Sequence, residues 1–273
     1  MLGASGDQPH VSVIIPAFNE PVATLTESLE SVRAQTFTDF ECIVVDESTD
    51  PEAAAACAEF CSTDTRFTYV HPATRLGLAA SLNLGISLAR APLIARFDSD
   101  DLCMARRLEL QVAFMVTHPD VGVLGGAIEI MSDDGETIAF RSYPADDAEI
   151  RRKFHMTSAI AHPAVMIRKE LIALHGGYDP AFRFSEDLDL WLRLLNKRVR
   201  FANLGDILIR YRQQDTRRNS LHWRYNIKAR LKNFTMRHSL PRLAGLCGIV
   251  IWGSLPGFFQ KKLFHSLLLR NDR

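Results

Sequence analysis

At 91–101 the chain reads APLIARFDSDD, a short apolar run that ends in three carboxylates, Asp98, Asp100 and Asp101. The run, with Pro92 at its start, predicts a strand buried on both faces, as in a parallel sheet. Its acids then fall where the strand leaves the core, and open α/β sheets gather their ligands at the carboxyl ends of strands. Three acids this close repel one another unless positive charge sits among them. A divalent cation with oxygen ligands, Mg²⁺ or Mn²⁺, answers that need. The plainer alternative is a solvated turn in which Asp101 caps the helical-looking LCMARRLELQVAFM that follows.

The residues upstream repeat the theme. VSVIIPAFN at 11–19 predicts a first buried strand, and 22–35 carries Leu25, Leu29 and Val32 at helical spacing. FECIVVD at 40–46 is a second apolar strand ending in an acid. An alanine-rich helix over 51–61 opens with Asp50 as N-cap and Pro51 at its first position. RFTYV at 66–70 predicts a third strand, and a glycine-containing helix over 76–89 feeds the strand that begins the argument. Strand and helix alternating at this spacing predict a doubly wound parallel sheet with right-handed crossovers. A dinucleotide fold is excluded, because PAFNEP rather than GxGxxG follows the first strand and no GxxxxGK[ST] occurs.

VSVIIPAFNE, ECIVVDESTD, RLGLAASLNLGISLARAPLIARFDSDD and HPAVMIRKELIALHGGYDPAFRFSEDLDLWLRL, followed by Arg210-Tyr211-Arg212, together resemble the inverting glycosyltransferases of family 2. The match covers 11–212 in register. It implies a GT-A fold, an α/β, Rossmann-like and mostly parallel sheet flanked by helices. Residues 1–212 would be the catalytic domain, with a nucleotide-sugar half at 11–101 and an acceptor half at 102–212. The resemblance places Pro16, Phe18, Glu20 and Asp46 around the base and ribose of a nucleotide sugar, usually uridine-linked, with Arg75 approaching the base or diphosphate. It makes Asp98 and Asp100 the DxD pair, with Asp100 the direct ligand of Mn²⁺ or Mg²⁺. Asp187, in the Glu186-Asp187 pair, is the implied general base.

The chemistry asks for the same groups. Transfer from a nucleoside diphosphate sugar leaves two charged phosphates, which a metal neutralises. The acceptor hydroxyl loses a proton as it attacks, and a carboxylate within hydrogen-bond reach takes it. One in-line attack with one base inverts the anomeric carbon, whereas glycoside hydrolysis needs two flanking carboxylates. Each assignment has a plainer competitor. Asp46 could cap a strand end and Arg75 could be surface charge. Glu186 and Asp187 open an amphipathic helix, where acids favour the positive end of the dipole whatever their function. Asp189 is a further acid that could be mistaken for the base. Trp191 reads as core or acceptor floor, and His162 as a loop histidine on the acceptor side.

Two motifs depart from the family pattern. DDGSxD becomes Asp46-Glu47-Ser48-Thr49-Asp50, one residue shorter and without glycine, so the turn after the second strand must differ. The histidine of YRxH is replaced by Gln214, which can bond a phosphate oxygen but is a poor metal ligand.

Net charge is zero but unevenly spread. Residues 197–273 hold 17 Lys and Arg against three acids, a charge of +14, while the first 196 carry 15 against 29, a charge of −14. A basic tail on an acidic body points to an anionic partner, a membrane surface or nucleic acid. Arg217 to His238 reads as a basic helix, and 243–259 holds 17 residues without a charge. That is at the short limit for a spanning helix, and Gly253, Pro256 and Gly257 would break it. The expectation is shallow insertion at an anionic leaflet, against the alternative of a helical hairpin packed on the domain. Residues 213–273 are thus read as a C-terminal extension, membrane-associated, in a protein of the cytoplasm and the inner face of the plasma membrane. Five cysteines, odd in number and in apolar surroundings, fit a reducing compartment, with Cys57 and Cys61 as packing residues. MLGASGDQPH has neither the basic start nor the apolar core of a signal peptide.

The reading is therefore a metal-dependent glycosyltransferase taking a nucleotide-sugar donor and a glycan or lipid-linked acceptor of cell-envelope polysaccharide. Nucleic acid is not expected as a partner, because a nucleic-acid binder would not need an acid-lined sheet. Acceptor choice would depend on 121–161 and on the tail. The rivals are a nucleotidyltransferase and a catalytically silent, membrane-associated nucleotide-sugar-binding protein.

Overall fold

The β-branched runs that open the chain have no polar face, and the structure buries them on both sides. A computed structural model describes residues 8–213, 220–236 and 239–254. β1 (Val11–Ala17), α1 (Val22–Arg33), β2 (Phe40–Asp46), α2 (Pro51–Ser62), β3 (Phe67–Val70), α3 (Leu78–Leu88) and β4 (Leu93–Arg96) follow one another as strand and helix. β1 pairs in parallel with β2 on one side and β4 on the other, and β2 pairs in parallel with β3. The order β3-β2-β1-β4 reverses direction between β1 and β4. That switch point is where an open sheet leaves a crevice for ligand. Register sets its walls, with Ala17 beside Asp46 and Ile14 beside Arg96.

The rest of the sheet is mixed. β5 (Leu102–Cys103), α4 (Arg107–Thr117), β6 (Val121–Met131), β7 (Thr137–Arg141), α5 (Asp147–Phe154), β8 (Met166–Arg168), α6 (Lys169–His175), α7 (Glu186–Asn196) and β9 (Arg200–Arg212) complete the body. β8 joins antiparallel to β4, and the order continues through β6 and β9 to β5, with β7 hairpinned on β6. Side-chain alternation along the strands separates two cores. Val11, Val13 and Ile15 face Leu25, Leu29, Cys57, Cys61 and Leu108, while Ile14, Ile43 and Val45 face Leu82, Ile86, Leu190 and Trp191. Cys57 and Cys61 are packing residues, as expected. Asp50 caps α2 through the Glu52 amide at 3.0 Å, with Pro51 at the first position.

One local expectation fails. No helix starts at Asp101; Leu102–Cys103 instead pairs with β9, and α4 begins at Arg107. The Asp101 carboxylate accepts the Arg212 amide at 2.8 Å, a partner from the far end of the sheet, and so caps nothing of its own.

Behind the body, α8 (Ser220–Lys232) and α9 (Ser239–Ser254) pack on each other and on α7. Arg230 donates to the Phe154 carbonyl at 2.7 Å and Arg242 to Asn196 Oδ1 at 2.8 Å. Among the described residues no helix is long and apolar enough to cross a membrane. Gln214 and residues 255–259 of the uncharged stretch lie outside the described residues.

Gly85 lets α3 lie close on the sheet. A Cβ there would sit 2.5 Å from Ile14 Cγ2 and 3.4 Å from Val45 Cγ2, both stiff β-branched neighbours in a packed core. Gly85→Ala is expected to destabilise the fold by about 1–3 kcal/mol despite its better helix propensity, as read by chemical denaturation.

Candidate active site

β4 delivers its acids to the crevice through a buried arginine. Arg96, 4 % exposed, spreads its guanidinium over the Asp98 carboxylate with both contacts at 2.5 Å, a bidentate pair. Asp101 is fully buried, and burial first, then the charges of Asp98 and Asp100, push its carboxyl well above the usual range. Arg212 approaches from β9. Its backbone N–H bonds Asp101, and its side chain donates to the Asp100 carbonyl at 2.9 Å and the Asp133 carbonyl at 2.6 Å.

Asp98, Asp100 and Asp101 each offer an oxygen within 4.8 Å of the others. Asp101 Oδ2 is buried with no hydrogen-bond partner among the described residues. An orphaned carboxylate oxygen facing two more acids fits a hard divalent cation with oxygen ligands. Asp101 is thus drawn into the cluster rather than left at a helix end. Glu20 adds a fourth acid nearby. Burial and the Asp100 charge raise its carboxyl to about 7, against a 3.2 Å hydrogen bond from the Ser99 hydroxyl.

A cavity of about 340 Å³ opens beside the acids. It is lined by Pro16, Phe18, Glu20, Arg75, Asp98 and Asp100 from the sequence expectation, and also by Glu47, Gly77, Arg96, Tyr211 and Arg212. Arg75 lays its guanidinium 3.7 Å from the Phe18 ring centroid, a cation–π contact that forms one wall. Asp46 lies underneath, wholly buried, accepting from the Ser48 amide at 2.9 Å and the Tyr69 hydroxyl at 3.0 Å. The acid that lines the cavity at this strand end is Glu47. Its Oε2 takes the Leu76 and Gly77 amides at 2.6 and 2.9 Å, and its Oε1 takes the Ser81 hydroxyl. Gly77 sits at φ +83°, a conformation other residues adopt only under strain. The shortened turn 46–50 is closed by Asn19, whose Oδ1 accepts the Thr49 and Asp50 amides at 2.8 and 2.9 Å.

Glu186 and Asp187 sit at the start of α7, after Ser185 in a left-handed turn at φ 60°. Glu186 is buried, and burial first, then the Asp187 charge, raises its carboxyl to about 7. Arg96 and Asp98 also act on Glu186, so α7 brings this pair into the electrostatic reach of the β4 turn. Asp187 is half-buried. Asp189 is spent on structure, held by Arg193 at 3.1 Å, Lys232 at 3.0 Å and Asn233 at 2.9 Å. Trp191 is core rather than acceptor floor, 0 % exposed, edge-on to Phe201 and His162. His162 bonds the Tyr178 hydroxyl at 2.8 Å, and burial holds it neutral.

Arg96, Arg212 and Glu47 were not among the site residues expected from sequence. Arg96 left a signal, a charge inside an apolar run. The Arg210-Tyr211-Arg212 motif marked Arg212 by resemblance without a role. Glu47 appeared only as a departure from a motif.

A mixed, mostly parallel sheet flanked by helices, with an acid-lined cavity at its switch point, is the architecture of a glycosyltransferase of GT-A type. Residues 12–174 match the model of glycosyl transferase family 2, and the chain belongs to that family. It is 31% identical over 233 residues to the Escherichia coli O-antigen biosynthesis glycosyltransferase WbnJ, covering 82% of this chain and 90% of that one. The S. aureus TarS 1-349 structure in complex with UDP-GlcNAc superposes with a TM-score of 0.68 at 19% identity, over 96% of this chain and 76% of that one. The mannosyltransferase PcManGT from Pyrobaculum calidifontis, in complex with GDP-Man and Mn²⁺, gives 0.63 at 16%, over 97% and 82%. At those identities the structural likeness is one of fold.

Two outcomes follow from these contacts. Glu47→Gln removes a charged acceptor from two amides and a hydroxyl, and should cost about 1–3 kcal/mol in chemical denaturation, with faster amide exchange at Leu76 and Gly77. Glu186 titrates at 4.5 when unfolded and about 7 when folded, so between those values the folded chain keeps a proton the unfolded chain has lost. Raising pH across that window therefore destabilises the protein, and Glu186→Gln should flatten the dependence of Tm on pH there.

Proposed function

We propose that this protein is a metal-dependent, inverting glycosyltransferase that moves a sugar from a nucleoside diphosphate sugar, UDP-linked, to a glycan or lipid-linked acceptor of cell-envelope polysaccharide. The observation that carries the reading is the juxtaposition at the switch point. A cavity sized for part of a nucleotide is bounded by Asp98 and Asp100, with Asp101 buried behind them in the same cluster, and Asp98 lies within electrostatic reach of Glu186.

Phe18, Pro16 and Arg75 supply an apolar and cationic wall against which a base can stack, with Glu20 at its edge and Glu47 holding the backbone of residues 76 and 77 beside it. Asp46 supports that wall from below. Mn²⁺ or Mg²⁺ held by Asp100, with Asp98 and Asp101, would neutralise the diphosphate as it leaves. The family relation and a fold neighbour solved with Mn²⁺ support that assignment. Arg96 keeps Asp98 oriented and partly neutralised, so three acids can share the turn. Asp187 is the general base. Burial and the Asp187 charge raise the Glu186 carboxyl to about 7, and Asp187 is the member of the pair that reaches solvent. It takes the proton of the acceptor hydroxyl as that oxygen attacks the anomeric carbon from the face opposite the leaving diphosphate.

The catalytic unit is taken as residues 1–212, with 213–273 as an extension that meets an anionic membrane surface. Four of the five cysteines are free and buried, which suits the cytoplasmic side, where nucleotide sugars are available. The O-antigen relative supports a cell-envelope acceptor, and the neighbour bound to UDP-GlcNAc supports the uridine donor.

The test is nucleotide release from a panel of UDP- and GDP-sugars by the purified protein, with Mn²⁺ and with chelator, beside Asp100→Ala. Release from a UDP-sugar should require metal and fall on the order of a hundredfold or more in the variant. Release indifferent to chelator would overturn the metal assignment, and a preference for GDP-sugars would overturn the uridine donor.

A further inference from the structure

A buried donor at the cavity has no partner among the described residues. Arg96 puts two of its guanidinium nitrogens on Asp98, and the third, Nε, is buried and makes no hydrogen bond there. The side chain is 4 % exposed and still lines the cavity. A buried charged donor left unpaired is costly, and this one cannot relieve itself by moving. The Arg96 amide donates to the Val165 carbonyl at 3.0 Å, its carbonyl accepts from Arg107 Nη2 at 2.7 Å, and β4 is paired on both sides. The bidentate grip on Asp98 fixes the far end. An atom from outside the chain has to complete the set.

The place of Arg96 says which. In the proposed reaction the transferred sugar lies between the leaving diphosphate, beside Asp98 and Asp100, and the acceptor hydroxyl, beside Asp187. Arg96 stands between the same two ends. It holds Asp98, and its charge reaches Glu186 and also Tyr178, which is itself within electrostatic reach of Asp187. Two further arginines of the cavity are placed elsewhere. Arg75 covers the Phe18 ring, and Arg212 donates to the Asp100 and Asp133 carbonyls. A sugar presents hydroxyl and acyl oxygens around its ring, each able to accept one N–H. We infer that Arg96 is a sugar-binding residue, whose Nε–H donates to an oxygen of the hexose being transferred while its other two nitrogens hold Asp98.

This rests on the transferase reading and adds to it a residue that selects the donor sugar. A sugar with an oxygen at that place satisfies Nε, and one without it leaves a buried donor unpaired, the situation in which a polar site discriminates most strongly.

The experiment is titration calorimetry of the full chain in Mn²⁺ with UDP, GDP, UDP-glucose, UDP-galactose, UDP-GlcNAc and GDP-mannose, beside Arg96→Lys. Lysine keeps a charge against Asp98 but has no second donor group at the place of Nε. The variant should bind the bare nucleotide within about twofold of the wild type, and the best-bound nucleotide sugar about tenfold or more weakly. Equal weakening toward nucleotide and nucleotide sugar overturns the inference and leaves Arg96 as a support for Asp98. Undiminished sugar binding by the variant overturns it too. Should Arg96→Lys fail to fold, the crystal structure of the wild type with its best-bound nucleotide sugar decides. A sugar oxygen within about 3.2 Å of Nε upholds the inference, and a water or protein partner in its place overturns it. A preference for GDP compounds removes the uridine donor and leaves the Arg96 comparison intact, since that comparison sets a nucleotide against its own sugar conjugate. Binding of none of the six overturns the transferase reading and this inference with it.

Discussion

Three carboxylates with oxygens inside 4.8 Å of each other are the constraint that organises this molecule. Left alone they would repel and, where buried, take up protons. The fold answers with arginines from two distant places. Arg96 sits two residues before Asp98 and grips it from within the sheet. Arg212 closes on Asp100 and Asp101 from β9, 111 residues away from Asp101. This second contact lies beside β5, a strand where the plainer alternative put a helix start, and it ties the end of β9 to the turn after β4. An unfilled demand remains, since one oxygen of Asp101 has no hydrogen-bond partner among the described residues. Metal chemistry enters the proposal through that demand.

The crevice beside the acids follows from sheet topology. β1 sends its crossover one way and β4 arrives on the other side, so the chain diverges and leaves space. What fills the walls is a local solution. The family's glycine-containing turn is missing, and Asn19 and Glu47 replace what it would have done. Asn19 closes the shorter turn, while Glu47 reaches across to hold Leu76 and Gly77 next to Arg75. Asp46, which resemblance places in the base site, is wholly buried and accepts from the Ser48 amide and the Tyr69 hydroxyl.

Charge asymmetry gives the whole molecule a direction. The acids gather in the first 196 residues and the basic residues in the remainder. Salt links between the two, Lys232 with Asp179 and Asp189, fix the extension against α7, the helix that opens with Glu186 and Asp187.

The alternation of strands and helices in the first hundred residues, the Asp50-Pro51 start of α2, the packing role of Cys57 and Cys61, and the acidic strand end at Asp98 were all legible in the amino-acid order. Each depends on periodicity or on neighbours a few residues apart, and such signals are local. The roles of Asp101, Glu47, Arg212, Trp191 and Asp189 were not, because each is decided by a partner remote in the chain. An acid at a strand end or a helix start looks the same whether it faces a cavity, a buried tyrosine or a lysine from the tail. The sequence by itself determined which segments are buried and where the chain places its acids, since hydrophobic burial reads out residue by residue. Only the tertiary structure decided which of those acids are free to act, because that depends on which hydrogen-bond donors the completed sheet and the returning helices bring within about 3 Å.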